Sequence, residues 1–178
     1  ILAADESTLT CKKRFDSIEM ECTEENRNAY RDMLFTTQGM EEFISGVILF
    51  DETIRQSTLN DSVPFPEYLT NLNVVPGIKV DKGAHPLSGS DGEKVTEGLD
   101  GLNDRLKEYY QLGARFAKWR AVITIGESEP SSACVSANAH ALARYAALCQ
   151  ENDIVPIVEP EILMDGTHTI EESFVLTE

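Results

Sequence analysis

Residues 115–123 read Arg115-Phe-Ala-Lys-Trp-Arg-Ala-Val-Ile123, and the rest of the chain is arranged around them. The stretch is short and rich in apolar residues, and it follows a helical pattern ending at Gly113, so it is predicted to be a β-strand. Side chains alternate across a strand, which puts Phe116, Lys118 and Arg120 on one face and Ala117, Trp119 and Ala121 on the other. Trp119 is then expected to pack under a helix on the outer face. Two cations on one face of a buried strand are costly unless something anionic meets them. A solvated sheet edge accommodates one such pair. It does not account for three further strands that carry the same feature.

The other strands lie on either side, four in all, three of them carrying charges. Ile1-Leu-Ala-Ala-Asp5 is a short apolar strand ending in an acid. Gly46-Val-Ile-Leu-Phe50 is apolar throughout, as a strand buried on both faces should be. Val74–Asp81 is a third, with Pro76 and Gly77 predicting a start near Ile78 or an irregular entry. Ile154–Ile162 is the last. A helix carrying Lys12, Lys13 and Arg14 follows the turn-prone Glu6-Ser7-Thr8. Thr23 reads as the N-cap of a second helix, with Glu24 and Glu25 in its first turn and an apolar stripe of Tyr30, Met33 and Leu34. Leu99, Leu102, Leu106 and Tyr109 lie at helical spacing, Ala133–Gln150 is an alanine-rich helix, and a final helix is expected near His168. Residues 60–67, 83–92 and 128–132 read as loops. Strands roughly 30 to 45 residues apart, alternating with helices, predict an α/β fold with a parallel sheet. Charges late in several strands favour a barrel over a doubly wound sheet, because all strands share a barrel's inner face.

The totals narrow the function. At 178 residues, 42% hydrophobic and 26% charged, the chain is sized for one globular domain. A net charge of −16 argues against a general binder of nucleic acid or anionic membranes, while leaving room for a local cationic pocket. No run approaches the roughly 18 apolar residues of a membrane helix. Cys11, Cys22, Cys134 and Cys149 have no CxxC spacing and read as free thiols of a reducing cytosol rather than zinc ligands. His85, His140 and His168 have no partners in the pattern and receive no role. The chain begins inside an apolar run and ends inside a helical pattern, so it is expected to be a piece of a longer one.

The charged residues form a constellation. Asp5 ends the first strand, Lys79 and Asp81 lie two apart, Lys118 and Arg120 lie two apart, and so do Glu159 and Glu161. Pointing inward together, four carboxylates would face three cations in a nearly neutral buried network. Such a network shifts carboxylate and lysine pKa values in the way acid–base chemistry requires.

The same residues carry a resemblance. Ile-Leu-Ala-Ala-Asp-Glu-Ser7, Gly-Ile-Lys-Val-Asp-Lys-Gly83, Phe-Ala-Lys-Trp-Arg120 and Ile-Val-Pro-Ile-Val-Glu-Pro-Glu-Ile162 resemble the successive barrel-strand motifs of class I fructose-1,6-bisphosphate aldolase. Gly-Leu-Asp-Gly-Leu102 and Leu-Ala-Arg-Tyr-Ala146 are also of that family's type, so the likeness spans nearly the whole chain. It implies a (β/α)8 TIM barrel truncated here to about its first five strands, a single partial domain over residues 1–178. It implies a cytoplasmic, glycolytic carbon–carbon lyase that needs no metal or other cofactor, acts on a sugar phosphate through a lysine imine, and is a homotetramer when full length. The imine lysine would lie beyond Glu178.

Roles follow from the resemblance residue by residue. Glu159 matches the family's general acid/base, Asp5 the carboxylate that handles the C4 hydroxyl proton, and Lys118 the lysine that contacts substrate hydroxyls. Lys79 and Glu161 match the groups supporting them. Lys13, Arg14 and Arg27 match positions associated with a substrate phosphate, and Lys79 and Arg120 complete the expected substrate-binding set. Leu9 and Thr10 stand where the family commonly has glycine and serine, and Leu9 is expected to narrow the turn there. Two other readings stay open at this point: a transaldolase-like enzyme with Lys118 as its imine lysine, and a scaffold or cytoskeleton-binding role without catalysis. The cluster Lys12, Lys13 and Arg14 also fits an ordinary solvated helix face.

Overall fold

The computed structural model describes residues 1–178. In chain order its elements are β1 (Leu2–Ala4), α1 (Thr8–Asp16), α2 (Glu24–Phe35), β2 (Gly46–Leu49), α3 (Phe65–Asn71), β3 (Val75–Lys79), β4 (Ala84–Pro86), β5 (Lys94–Thr96), α4 (Leu102–Gln111), β6 (Phe116–Ile123), α5 (Ser132–Glu151), β7 (Val155–Ile162) and α6 (Ile170–Thr177). Five strands form one sheet in the order β1-β2-β3-β6-β7, every pair parallel. Each strand is laid beside the one before it, always in the same direction, with helical crossovers between. That is the winding of five consecutive strands of a (β/α) barrel. β1 and β7 each keep one edge unpaired.

Local sequence explains the helix starts. Ser7, Thr23 and Ser131 each accept a hydrogen bond from the backbone N–H three residues on, capping α1, α2 and α5. Thr169 and Glu172 form a reciprocal capping box at the start of α6. The outer face of the sheet meets the helices in one apolar core. Its largest side chain is Trp119, fully buried and packed against Tyr145 of α5 with ring centroids 5.5 Å apart, as the alternation in β6 requires.

The structure departs from the sequence reading in four places. Residues 65–71 form α3, whereas the reading left that crossover without a helix. Pro66 in its first turn costs no hydrogen bond, and Phe65 and Leu69 anchor it in the core. Residues 83–92, read as loop, contain half of an antiparallel hairpin, β4 with β5. Strands of three residues are too short to show alternation. β3 runs regularly from Val75 through Pro76 and Gly77. Pro76 accepts from Arg115 N–H through its carbonyl, 2.9 Å, so its missing N–H lies on the same side, at the rung where β6 has not yet begun. In α2 the buried positions are Arg31 and Phe35, and Met33 is exposed.

Gly77 has a packing role. The Phe116 ring lies across it on the inner face, and any Cβ at position 77 would overlap that ring. Gly77→Ala in the full-length protein is therefore expected to cost about 1–3 kcal/mol through overpacking. Combining it with Phe116→Leu should recover part of the loss. Denaturant unfolding of the single and double variants reads this coupling, and strict additivity would show that the ring and the glycine do not compete for space.

Candidate active site

The inner face of the sheet opens at the strand ends into a basin of about 1110 Å³. Its strand-borne lining is every second residue: Asp5 after β1, Phe50 after β2, Lys79 and Asp81, Lys118 and Arg120, then Glu159 and Glu161. The register sets Lys79 beside Lys118 and Arg120 beside Glu159. Parallel neighbours share a face, so each layer brings charges from different strands together.

Lys118 is the centre of the arrangement. Its Nζ lies 3.4 Å from Asp5 Oδ2 and 3.3 Å from Glu159 Oε2. Burial works against its charge, but Asp5 and Glu159 outweigh that and hold the ammonium above the ordinary lysine range. Arg120 pairs with the Glu161 carboxylate, and its Nε is 4.0 Å from Glu159. The hydrogen bond from Arg120 keeps Glu161 below the usual carboxylate range. Lys79 pairs with the Asp81 carboxylate and donates to the Asp81 carbonyl at 2.9 Å. Asp81 in turn accepts from the N–H groups of Gly83, 3.0 Å, and Arg120, 3.3 Å, and so ties β3 to β6. An amine held as an ammonium between two carboxylates is a poor nucleophile. This counts against Lys118 as an imine lysine.

The turn between β1 and α1 forms one rim. Glu6 lines the basin and its carboxylate receives both Arg14 and Arg31. Arg14 also donates to the Tyr30 hydroxyl at 2.9 Å. Burial pushes the Glu6 carboxyl up, but Arg31, the Glu6 backbone N–H and Arg14 together hold it below the ordinary range. Leu9 does not narrow a strained turn. It is an ordinary residue in the first turn of α1, and its exposed side chain reaches the basin. The opposite rim is built from residues the sequence reading passed over. Arg55 pairs with Glu108 at 2.5 Å and Asp51 at 3.1 Å, Tyr109 donates to Asp51 at 2.8 Å, and Arg105 donates to the carbonyl of Val80 at 2.9 Å. Seven lysines and arginines and seven carboxylates line the basin altogether, so it is locally neutral in a chain of net charge −16.

Of the nine expected site residues, seven line the basin: Asp5, Arg14, Lys79, Lys118, Arg120, Glu159 and Glu161. Lys13 and Arg27 do not. Lys13 is exposed on α1, away from the basin lining, because the turn of the helix that brings Arg14 inward carries its neighbour outward. Arg27 is engaged in a bidentate pair with Glu52, at 2.7 and 2.6 Å, and donates to the Cys22 carbonyl at 2.8 Å. Sequence spacing gave the cation but not the partner that takes it up. Arg31 was missed for the converse reason: it stands one turn after Arg27, on the face of α2 that Phe35 buries, and a cation there is a signal that the apolar stripe hid.

Comparison with known proteins identifies this basin's family. The model of fructose-bisphosphate aldolase class-I matches residues 1–178. The chain belongs to that family. A probable class 1 fructose-bisphosphate aldolase of Xanthomonas axonopodis is 65% identical over all of this chain and 53% of its own length. The cytosolic fructose-bisphosphate aldolase 4 of Arabidopsis thaliana is 57% identical over all of this chain and 45% of its own. The fructose-bisphosphate aldolase of Plasmodium falciparum, in a ternary co-crystal structure with TRAP and a small-molecule inhibitor, superposes with a TM-score of 0.94 at 56% identity, covering 99% of this chain and 51% of that one. This member of the aldolase family thus spans about half the length of the relatives it matches.

The Glu6 pair makes the aldolase-family turn sensitive to acid. A carboxyl whose folded pKa is depressed contributes stability above its ordinary value, about 4.3, and loses that contribution as pH falls through the folded value. Unfolding free energy is therefore expected to fall more steeply below about pH 5 in the parent than in Glu6→Gln. At neutral pH, Glu6→Gln should be less stable by about 3–5 kcal/mol, because Arg31 stays buried without its counter-charge. Urea titrations across pH 3–7 measure both, and parallel pH curves would remove Glu6 as the acid-sensitive group.

Proposed function

We propose that the full-length protein is a cytosolic class I fructose-bisphosphate aldolase, cleaving fructose 1,6-bisphosphate to dihydroxyacetone phosphate and glyceraldehyde 3-phosphate. The carrying observation is Lys118 held between Asp5 and Glu159 in a neutral basin whose further cations can meet phosphate. The reading takes its imine-forming amine from the half of the protein that this chain does not span, since Lys118 and Lys79 are both occupied by carboxylates. It also takes the family's homotetramer for the intact protein.

In this reading the amine attacks the C2 carbonyl, and Glu159 takes up a proton that the amine gives up and returns it to the carbinolamine oxygen, which leaves as water. Asp5 removes the proton of the C4 hydroxyl. The electrons of the C3–C4 bond move into the iminium, leaving an enamine on the three-carbon half and releasing the aldehyde. Lys118 bridges the two carboxylates and stays free to donate to a substrate hydroxyl. Arg14, on the rim, is placed to meet a phosphate once its bond to Glu6 is shared; guanidinium suits phosphate oxygens. The charged basin favours this over a scaffold role, which would not need seven carboxylates facing cations, six of them buried or half-buried.

Glu159→Gln in the full-length enzyme is expected to slow imine formation by about 10² to 10⁴, with substrate affinity little changed. Borohydride trapping in a single turnover gives the rate of imine formation. An unchanged rate would take Glu159 out of the acid/base role, and a label on Lys118 would return the imine to this half of the protein.

A further inference from the structure

Only one arginine or lysine in the chain is buried. It is Arg31 of α2, with 2% of its surface exposed. Burying a guanidinium is expensive, so what it is spent on is informative. Its Nη1 pairs with the Glu6 carboxylate, and its Nη2 donates to the Glu6 backbone carbonyl at 2.9 Å and to Cys11 Sγ at 3.6 Å. One planar group thus grips both the side chain and the main chain of a single residue. Lysine, a point charge on a flexible stem, cannot reproduce that grip.

The residue it grips is the neighbour of Asp5. The β1–β2 ladder ends at the pair Ala4 and Leu49, so Asp5 is the first residue past the sheet's own hydrogen bonding. Its direction toward Lys118, 3.4 Å away, depends on how the chain is held immediately afterwards. Glu6 is that point, and Arg31 is its only buried cationic anchor; Arg14, its other cationic partner, is exposed, and buried Cys11 adds a longer contact to the Glu6 carbonyl at 3.8 Å. Glu6 and Ser7 also lead directly into the capped first turn of α1, which forms the basin rim.

We propose that Arg31 is a positioning residue for the carbon–carbon cleavage step, fixing the backbone from which Asp5 takes the C4 hydroxyl proton. This rests on the aldolase reading above. Arg31 touches no substrate. Its effect is specific to cleavage, because dihydroxyacetone phosphate has no C4 and can form its imine without Asp5.

The test compares full-length wild type, Arg31→Met and Arg31→Lys. Two rates are measured on each: turnover of fructose 1,6-bisphosphate, and borohydride-trapped imine formation with dihydroxyacetone phosphate. Arg31→Met is expected to lose about 10²-fold in cleavage kcat, the size of effect that follows a misplacement of about 1 Å, with imine formation near wild type. Arg31→Lys should restore part of the cleavage rate, through the carboxylate pair alone. Equal losses in both rates, or no loss in cleavage, would overturn the proposal. If Arg31→Met does not fold, Arg31→Lys decides: a cleavage-to-imine ratio below wild type supports positioning, and an unchanged ratio refutes it. A wild type that neither cleaves nor forms an imine would instead bring down the aldolase reading, and the proposal with it.

Discussion

An ammonium fixed between two carboxylates on the inner wall of a parallel sheet is the constraint on which the rest depends. Lys118 can be half-buried only because Asp5 and Glu159 meet it. Asp5 and Glu159 come from strands at opposite ends of the sheet order, β1 and β7. For both to reach one Nζ, the sheet must curl so that its first and last strands face a common interior. The ion triad and the barrel curvature are therefore one requirement, expressed once in electrostatics and once in backbone geometry.

The surrounding charges extend that logic outward. Asp81 ties Lys79 to the backbone of β6, Glu161 engages Arg120, and Glu6 gathers two arginines at the rim. Five of the seven basin cations have an assigned carboxylate, and Arg105 is held by the carbonyls of Val80 and Gly98, so the basin is preorganised rather than merely charged. Groups already oriented by their neighbours need little rearrangement when charge develops on a bound molecule. Neutrality inside a strongly acidic chain also matters for an anionic ligand, which would otherwise meet a repulsive field on approach.

Much of this could be read in the chain itself, for a physical reason. A strand has a strict period of two, so Lys118 with Arg120, and Glu159 with Glu161, declare their shared face without any knowledge of tertiary structure. The buried Trp119 follows from the same parity. Helical cations are harder to read. Lys13, Arg14 and Arg27 all looked available and Arg31 went unread, and only their partners separate them: solvent, Glu6, Glu52 and the buried turn. Those partners sit 8 to 25 residues away along the chain, a distance over which local pattern carries no information. The short hairpin β4–β5 and the seven-residue α3 escaped because each is briefer than the window a period needs.

The parity of β6 has one more consequence. Trp119 is the only tryptophan in these 178 residues. It sits with its indole N–H unpartnered in the core, between Lys118 and Arg120 in sequence but on the opposite side of the strand. Its surroundings are closed to the surface, with Tyr145 alongside. The strand that presents the charged face to the basin thus carries a built-in optical probe on its back. Within this half of the protein, a change in the tilt or packing of β6 would be written into the emission wavelength and intensity of one indole.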